Sequence, residues 1–377
     1  MSSFSKLEIT DLFFADPGVY VPFIVIFGSF LLLEAAGAVA KFQKSYFSSS
    51  SSSSRQSATT VSNDTKPSSS SPAATVQPKP HWRESTGISC PYEYILGIYG
   101  RNHFEKFITY LDPKLKRKDP VQYKLALRLM DAIHFGAILV DDIADGSTLR
   151  KGKTAAHLIY GSSETINRAY TRIFEVLVSI GKERPALLPL VLSDIREIHE
   201  GQDISLVWRR DGLPPSLDKA SAVRAYRECA SLKTGALFRL LGHMVYGNAE
   251  HDALMSQVGW YCHLQNDCKN VFSGDYVQSK GTVAEDLRNG EYSLPIILAS
   301  YGSPQVSKAV KAALDANSIA SEAQRDAVLS KGVEALQTAE VRDVCLDELS
   351  KLKGSLTDFS FLWGREEKMT TIAEETK

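Results

Sequence analysis

The chain lacks the features that mark several large protein classes. Its five cysteines, Cys90, Cys229, Cys262, Cys268 and Cys345, are scattered, odd in number and never spaced as CxxC. That argues against a disulfide framework or a cysteine zinc site and for buried packing thiols in a reducing compartment. The formal net charge is only −1, so the basic excess that nucleic-acid binding requires is missing. No GxGxxG or P-loop run occurs, which removes the usual phosphate cradles of nucleotide-binding α/β folds. Nor does any run alternate apolar and polar residues as a half-buried strand does.

What is present is helical periodicity. Residues Tyr123 to Val140, Ser163 to Ile180, Leu187 to Gln202 and Ala220 to Val245 carry apolar side chains at three-four spacing, separated by turn residues. The economical architecture is an all-α bundle with its acidic helix ends gathered at one mouth.

The N-terminal part reads differently. After a short tail (1–18), residues 19–41 are almost uninterruptedly apolar, long enough to span a bilayer, although Pro22 and Glu34 weaken the pattern. The preceding segment holds Glu8, Asp11 and Asp16 against one lysine, the wrong charge for a cleaved signal peptide. Lys41, Lys44 and Arg55 follow on the C-terminal side, which by the positive-inside rule places the bulk of the protein in the cytosol. The expectation is therefore an uncleaved membrane anchor, in the endoplasmic reticulum, with a cytosolic catalytic domain; a signal peptide and a loosely associated apolar arm are the rivals. Residues 42–81 collapse to Ser, Thr, Pro and Ala, too polar to offset the entropy of ordering, and read as a tether. Globular sequence runs over 82–365, and 366–377 form a polar tail.

Two constellations carry chemistry. The first, Asp141 to Arg150 (DDIADGSTLR), follows the apolar run Phe135 to Val140. Asp141 and Asp145 stand four apart and so project from one helix face. Neighbouring carboxylates repel unless a cation lies between them, and hard oxygen donors favour Mg²⁺. Arg150 and Lys151 follow in a basic GK loop, a pairing suited to a polyanionic substrate bridged to the protein by metal. The second is His263-Leu264-Gln265-Asn266-Asp267-Cys268-Lys269-Asn270, which ends the apolar run Val258 to Leu264 and leads into a loop with Lys280, then Glu285-Asp286-Leu287. Between them, Lys233 and Thr234 sit early in an apolar helix, able to reach an anion.

With PYEYIL at 91, HFGAILVDDIADGSTLRKGKTAAHLIYG at 134, EGQDISLVW at 200, KTGALFRL at 233 and NDCKN through EDLRNGEYSLPI at 266, the chain resembles the trans-prenyltransferase (polyprenyl diphosphate synthase) family over about 88–300. The resemblance implies the α-helical isoprenoid-synthase bundle, usually homodimeric, with a deep apolar cavity. It also implies Mg²⁺ on Asp141, Asp145 and Asp267 clamping an allylic diphosphate, and Arg150, Lys233 and Lys280 neutralising the departing diphosphate. Thr234, His263, Asn266 and Asn270 fall at positions on the allylic side, Arg101, Phe104, His134 and Lys151 on the acceptor side. Small residues at Gly136 and Ala137, on the helix face that the family turns towards the prenyl chain, suggest a long tail such as geranylgeranyl.

The departures from the pattern bear on the acceptor. The family's Gly-Lys-x-x-Arg segment, which holds isopentenyl diphosphate, reads Gly100-Arg101-Asn102-His103-Phe104, and Lys151 replaces an arginine, while His134 is retained. The acceptor side has lost a fork-shaped phosphate clamp and gained an aromatic. On the allylic side Asn266 replaces an aspartate, His263 a glutamine, Ser205 an acid and Glu291 a lysine. Three readings follow. The first resembles the fungal indole-diterpene branch, which transfers geranylgeranyl to indole-3-glycerol phosphate. The second is an ordinary geranylgeranyl or farnesyl diphosphate synthase. The third is a non-catalytic partner subunit, against which the intact DDIAD and KTG segments argue.

Overall fold

The computed structural model describes residues 90–274, 276 and 282–359. The expected anchor at 19–41, the linker and Lys280 lie outside the described residues. Among the described residues no helix is long and apolar enough to cross a membrane. The longer helices are α1 (Pro91–Tyr99), α2 (Glu105–Leu111), α3 (Pro120–Ala144), α4 (Ser162–Glu183), α5 (Leu188–Asp211), α6 (Lys219–Ala230), α7 (Ala236–Tyr246), α8 (Asp252–Phe272), α9 (Leu294–Ser300), α10 (Pro304–Leu314), α11 (Glu322–Leu336) and α12 (Ala339–Ser355). The all-α expectation holds.

Helix α3 organises the rest. Asp119 caps it, its Oδ1 accepting from Gln122 N at 2.9 Å, and Pro120 occupies the first turn, where its missing N–H costs nothing. Every residue from Leu129 to Asp142 is buried, as expected of a helix that is apolar on all faces. Phe135, Ile138, Leu139 and Val140 pack with α1 and α4 in one apolar cluster, while Leu125, Leu129, Met130, Ile133 and Ala137 join a larger cluster reaching α7, α8 and α9. The acidic motif is thereby the end of a rigid central rod.

Gly136 does not point into open space. A Cβ there would lie 3.2 Å from Ile173 Cδ1 and 3.8 Å from Ala169 Cβ, so the missing side chain serves the α3–α4 contact. Close helix packing accounts for this glycine, and it carries no information on prenyl length.

Three elements differ from the periodicity-based expectation. The predicted helix 220–245 is divided by a π-helical turn, Ser231–Gly235. That turn is squeezed between two glycines: a Cβ on Gly201 of α5 would stand 2.7 Å from Lys233 Cγ, and one on Gly259 of α8 would stand 2.7 Å from Gly235 Cα. Helix α8 continues past Leu264 to Phe272, so the second acidic motif lies within a helix and not after its end. Finally, Leu149–Arg150 and Lys153–Thr154 form a minimal antiparallel ladder, Arg150 opposite Lys153. Its tip, Lys151 (φ 49°) and Gly152 (φ 70°), takes the left-handed conformation that two-residue hairpin turns need.

Candidate functional site

Asp141 and Asp142 occupy the last turn of α3 and are buried; Asp145 follows as the C-cap. The hairpin folds Arg150 back beneath them, where it is 1% exposed. Its Nε donates to Asp142 Oδ1 at 2.9 Å, its Nη2 bonds the same oxygen, and that Nη2 lies 3.7 Å from Asp141 Oδ2. Asp142 was absent from the expected site residues, yet it is the anchor that holds Arg150 in the interior. Burial alone would lower the Arg150 pKa, but Asp142, Tyr99 and Asp141 drive it well above its ordinary value. The guanidinium is a fixed charge.

Asp145 meets residues from two other elements. Arg209 on α5 donates from Nη1 to Asp145 Oδ1 at 3.0 Å and to Glu291 Oε1 at 3.4 Å. Burial and the adjacent Glu291 push the Asp145 carboxyl well above the usual carboxylate range, with Arg209 opposing. Glu291 is likewise raised, by burial and by Asp286, against Lys233, Asp145 and Arg209. Two acids so close favour sharing a proton until a stronger cation arrives. Arg209 was not among the expected residues. Gln202, Ser205 and Arg209 recur at three-four spacing along α5, and that periodicity is the signal that could have found it.

On the opposite side the π-turn presents Lys233, which is buried and approaches Ser205 Oγ at 3.4 Å. Such turns are frequent where a helix must re-aim a functional side chain. The next residue begins a continuous hydrogen-bonded chain. Thr234 Oγ1 lies 2.7 Å from His263 Nδ1, His263 Nε2 lies 2.9 Å from the Tyr226 hydroxyl, and that hydroxyl donates to Asp267 Oδ2 at 2.6 Å. Leu294 N donates to the same oxygen at 3.0 Å. Because the Tyr226 proton goes to Asp267, His263 must donate from Nε2 and accept from Thr234 at Nδ1. Burial, reinforced by Lys233, lowers the His263 pKa to about 3, which keeps the ring neutral as this chain requires. Burial raises the Asp267 carboxyl to about 6, opposed by the Tyr226 and Leu294 hydrogen bonds and by Lys233. Tyr226 has no motif around it and is recognisable only from the fold.

The side expected to take the acceptor is aromatic. His103 and His134 stack, with centroids 5.1 Å apart and planes 8° from parallel. Phe104 meets His134 edge-on at 5.4 Å, Tyr99 meets His103 edge-on at 6.0 Å, and Phe135 closes the group. Lys151 Nζ lies 4.1 Å over the Tyr99 ring. Burial lowers both imidazoles, His103 to about 4 with help from Lys151, His134 further below its ordinary value with help from His103 and Arg150. His134 stands seven residues before Asp141, two turns away on the same face of α3.

Several expected residues are placed otherwise than their anticipated roles imply. Arg101 is exposed and paired with Glu93. Phe104 is 3% exposed, so it backs His134 from within the core and is no open wall. His263 and Thr234 spend their polar atoms on the chain above, which makes them positioning residues for Asp267. Asn270 is buried and donates to Asp286 Oδ1 at 3.1 Å, while Asn266 is half-buried. Among the described residues no three carboxylate, imidazole or thiol groups form a ready-made metal cage. The donor chemistry nevertheless fits Mg²⁺: Asp141, Asp145 and Asp267 offer only hard oxygens, and Asp267 keeps Oδ1 clear of its two donors, with His263 Nε2 at 4.0 Å.

A profile of the polyprenyl synthetase family matches residues 86–331. The chain is 47% identical to prenyltransferase terC of Tolypocladium album over 289 residues, covering 76% of this chain and 83% of that protein. It is 49% identical to prenyl transferase nodC of Hypoxylon pulicicidum over 283 residues (74% and 84%) and 45% identical to prenyl transferase paxC of Penicillium paxilli over 289 (75% and 87%). Read with the two acidic clusters and the buried cations beside them, these matches place the chain in the polyprenyl synthetase family as a prenyltransferase acting on an allylic diphosphate and an acceptor.

Proposed function

We propose that the protein is a Mg²⁺-dependent transferase that joins the geranylgeranyl group of geranylgeranyl diphosphate to indole-3-glycerol phosphate, giving 3-geranylgeranylindole for indole-diterpene synthesis. The observation that carries this reading is the neutral aromatic group around His103 and His134, where the family pattern calls for a cationic clamp. A flat ring with a single phosphate needs fewer cations than a diphosphate and gains from ring contacts. Lys151 remains beside that group for the phosphate.

Asp141, Asp145 and Asp267 would hold Mg²⁺, which supplies neutralisation of the departing diphosphate. Lys233 adds a fixed cation at the same end. Arg209 keeps Asp145 and Glu291 together, and Tyr226 and Leu294 N orient Asp267. Pre-aimed charges of this kind stabilise the transition state without reorganising. C3 of the indole then bonds to C1 of the prenyl group as the C–O bond to diphosphate breaks. The three-carbon phosphate side chain leaves as an aldehyde, and one proton is released.

The domain layout belongs to the same proposal: an anchor at 19–41 in the endoplasmic reticulum membrane, a tether at 42–81 and a cytosolic catalytic domain over 82–365. A homodimer is supported by exposed apolar residues, Phe174 and Val178 one turn apart on α4 and Leu192 on α5.

The test incubates the full chain and Mg²⁺ with geranylgeranyl diphosphate and indole-3-glycerol phosphate, and in parallel with farnesyl and isopentenyl diphosphates. The prenylated indole is expected in the first tube. Product in the second tube alone overturns the proposal in favour of a chain-elongating synthase. Turnover in neither without an added active synthase points to a partner subunit.

A further inference from the structure

His103 fills an unspecified position of the Gly100–Phe104 segment, yet the structure builds a site around it. It sits between α1 and α2 in a loop that Asp131 of α3 clamps from below. Asp131 Oδ2 accepts Asn102 N at 2.7 Å and Oδ1 accepts His103 N at 2.9 Å. Asn102 takes a positive φ of 57°, a conformation this clamp helps to hold. The imidazole is thus fixed at its backbone and by its stack on His134, with Tyr99 and Phe104 edge-on to it at 6.0 and 5.6 Å.

Its Nε2 is buried and has no hydrogen-bond partner in the protein. Buried polar atoms are nearly always satisfied, so a ring nitrogen held this firmly calls for a partner that the protein itself does not supply. The ring is neutral at physiological pH, because burial and Lys151 both oppose its protonation. A neutral imidazole with its proton on Nδ1 offers Nε2 as an acceptor, which repels a phosphate oxygen and attracts an N–H. Two cations stand nearby: Lys151 covers the Tyr99 ring, and the buried Arg150 couples to the Tyr99 hydroxyl.

We propose that His103 recognises the acceptor by accepting the ring N–H of a heteroaromatic monophosphate at Nε2, which makes residue 103 the determinant separating such an acceptor from isopentenyl diphosphate. Isopentenyl diphosphate has no N–H and would leave this nitrogen buried and unpaired, the arrangement by which polar pockets reject analogues most strongly. The inference rests on the indole reading above.

The test measures kcat/KM of the full chain, with saturating geranylgeranyl diphosphate and Mg²⁺, for indole-3-glycerol phosphate and its N1-methyl analogue. The wild type should prefer the N–H compound by at least about tenfold. His103→Phe, which keeps a ring but loses the acceptor atom, should erase that preference by raising the acceptor KM. The KM for the allylic diphosphate should stay within about twofold. His103→Gln, whose amide oxygen can stand near Nε2, should restore part of the preference. Equal use of both compounds by the wild type overturns the inference even if His103→Phe fails to fold, and so does an undiminished preference in His103→Phe. Absence of indole product beside active chain elongation overturns the functional reading itself, a distinguishable outcome.

Discussion

The two ends of the site handle charge in opposite ways. At the end expected to take the allylic diphosphate, Asp141, Asp145, Asp267 and Glu291 lie among the cations Arg150, Lys233 and Arg209, and ion pairs tie Arg150 to Asp141 and Arg209 to both Asp145 and Glu291. At the acceptor end the rings of Tyr99, His103, Phe104 and His134 are neutral, and the His103 Nε2 is left for a ligand. The difference teaches which half is generic. An ionisation centre must concentrate fixed charges whatever receives the prenyl group, whereas the receiving pocket is shaped to one acceptor.

Breaking the charged end should have the largest effect. Asp141→Ala is expected to lower turnover by about 10²–10³-fold or more, since preorganised charge contributes that much per group; a radiolabelled prenyl-transfer assay reads it, and retained activity would refute the metal assignment. Placing charge at the neutral end should come next. Phe104→Arg puts a guanidinium at a position that is 3% exposed. A loss of about 3 kcal/mol is expected, seen as a Tm lower by several degrees. An unchanged Tm, with tighter isopentenyl diphosphate binding, would show that residue 104 opens onto the acceptor after all.

A smaller effect should follow from Tyr226→Phe, which leaves the acids in place but removes the donor that orients Asp267. The Mg²⁺ concentration for half-maximal activity should rise about tenfold, as for other residues that orient metal ligands. An unchanged Mg²⁺ requirement would remove Tyr226 from the site.

The smallest effect sharpens the contrast from outside the site. His243 is buried like His134, and burial alone would lower its pKa, but Asp194 at 2.6 Å and Asp252 at 2.8 Å raise it above the ordinary value. Asp194 is itself raised by burial, only partly relieved by His243, so the pair is modestly stabilising. A raised histidine contributes fully below its unfolded pKa of about 6.5 and loses that contribution as pH climbs through the folded value. His243→Gln should therefore cost about 1 kcal/mol near pH 6 and less near pH 9. A deficit that grows with pH would contradict a charged His243.

The legible and illegible parts of the site differ in kind. Asp141 and Asp145 were legible because helix period places them on one face at the end of α3, whereas Lys233 and Asp267 were legible through the motifs that carry the family resemblance. Arg209 was half-legible, lying on the periodic face of Gln202 and Ser205. Tyr226, Asp142 and His103 were not legible, because each acts through a partner 41, 8 or 31 residues away that only packing brings near. The π-turn escaped for a related reason. Its apolar spacing is still that of a helix, and what unwinds it is contact with Gly201 and Gly259 on two other helices.

The sequence by itself determined an all-α chain with two acidic clusters on helices, since periodicity and residue chemistry are local properties, and its motifs carried the resemblance to the prenyltransferase family. The tertiary structure decided which cations are committed to internal partners, that Phe104 lies inside the core, and that His103 keeps an unpaired nitrogen. Those outcomes depend on burial and on pairing across the chain, and neither quantity exists until the helices pack.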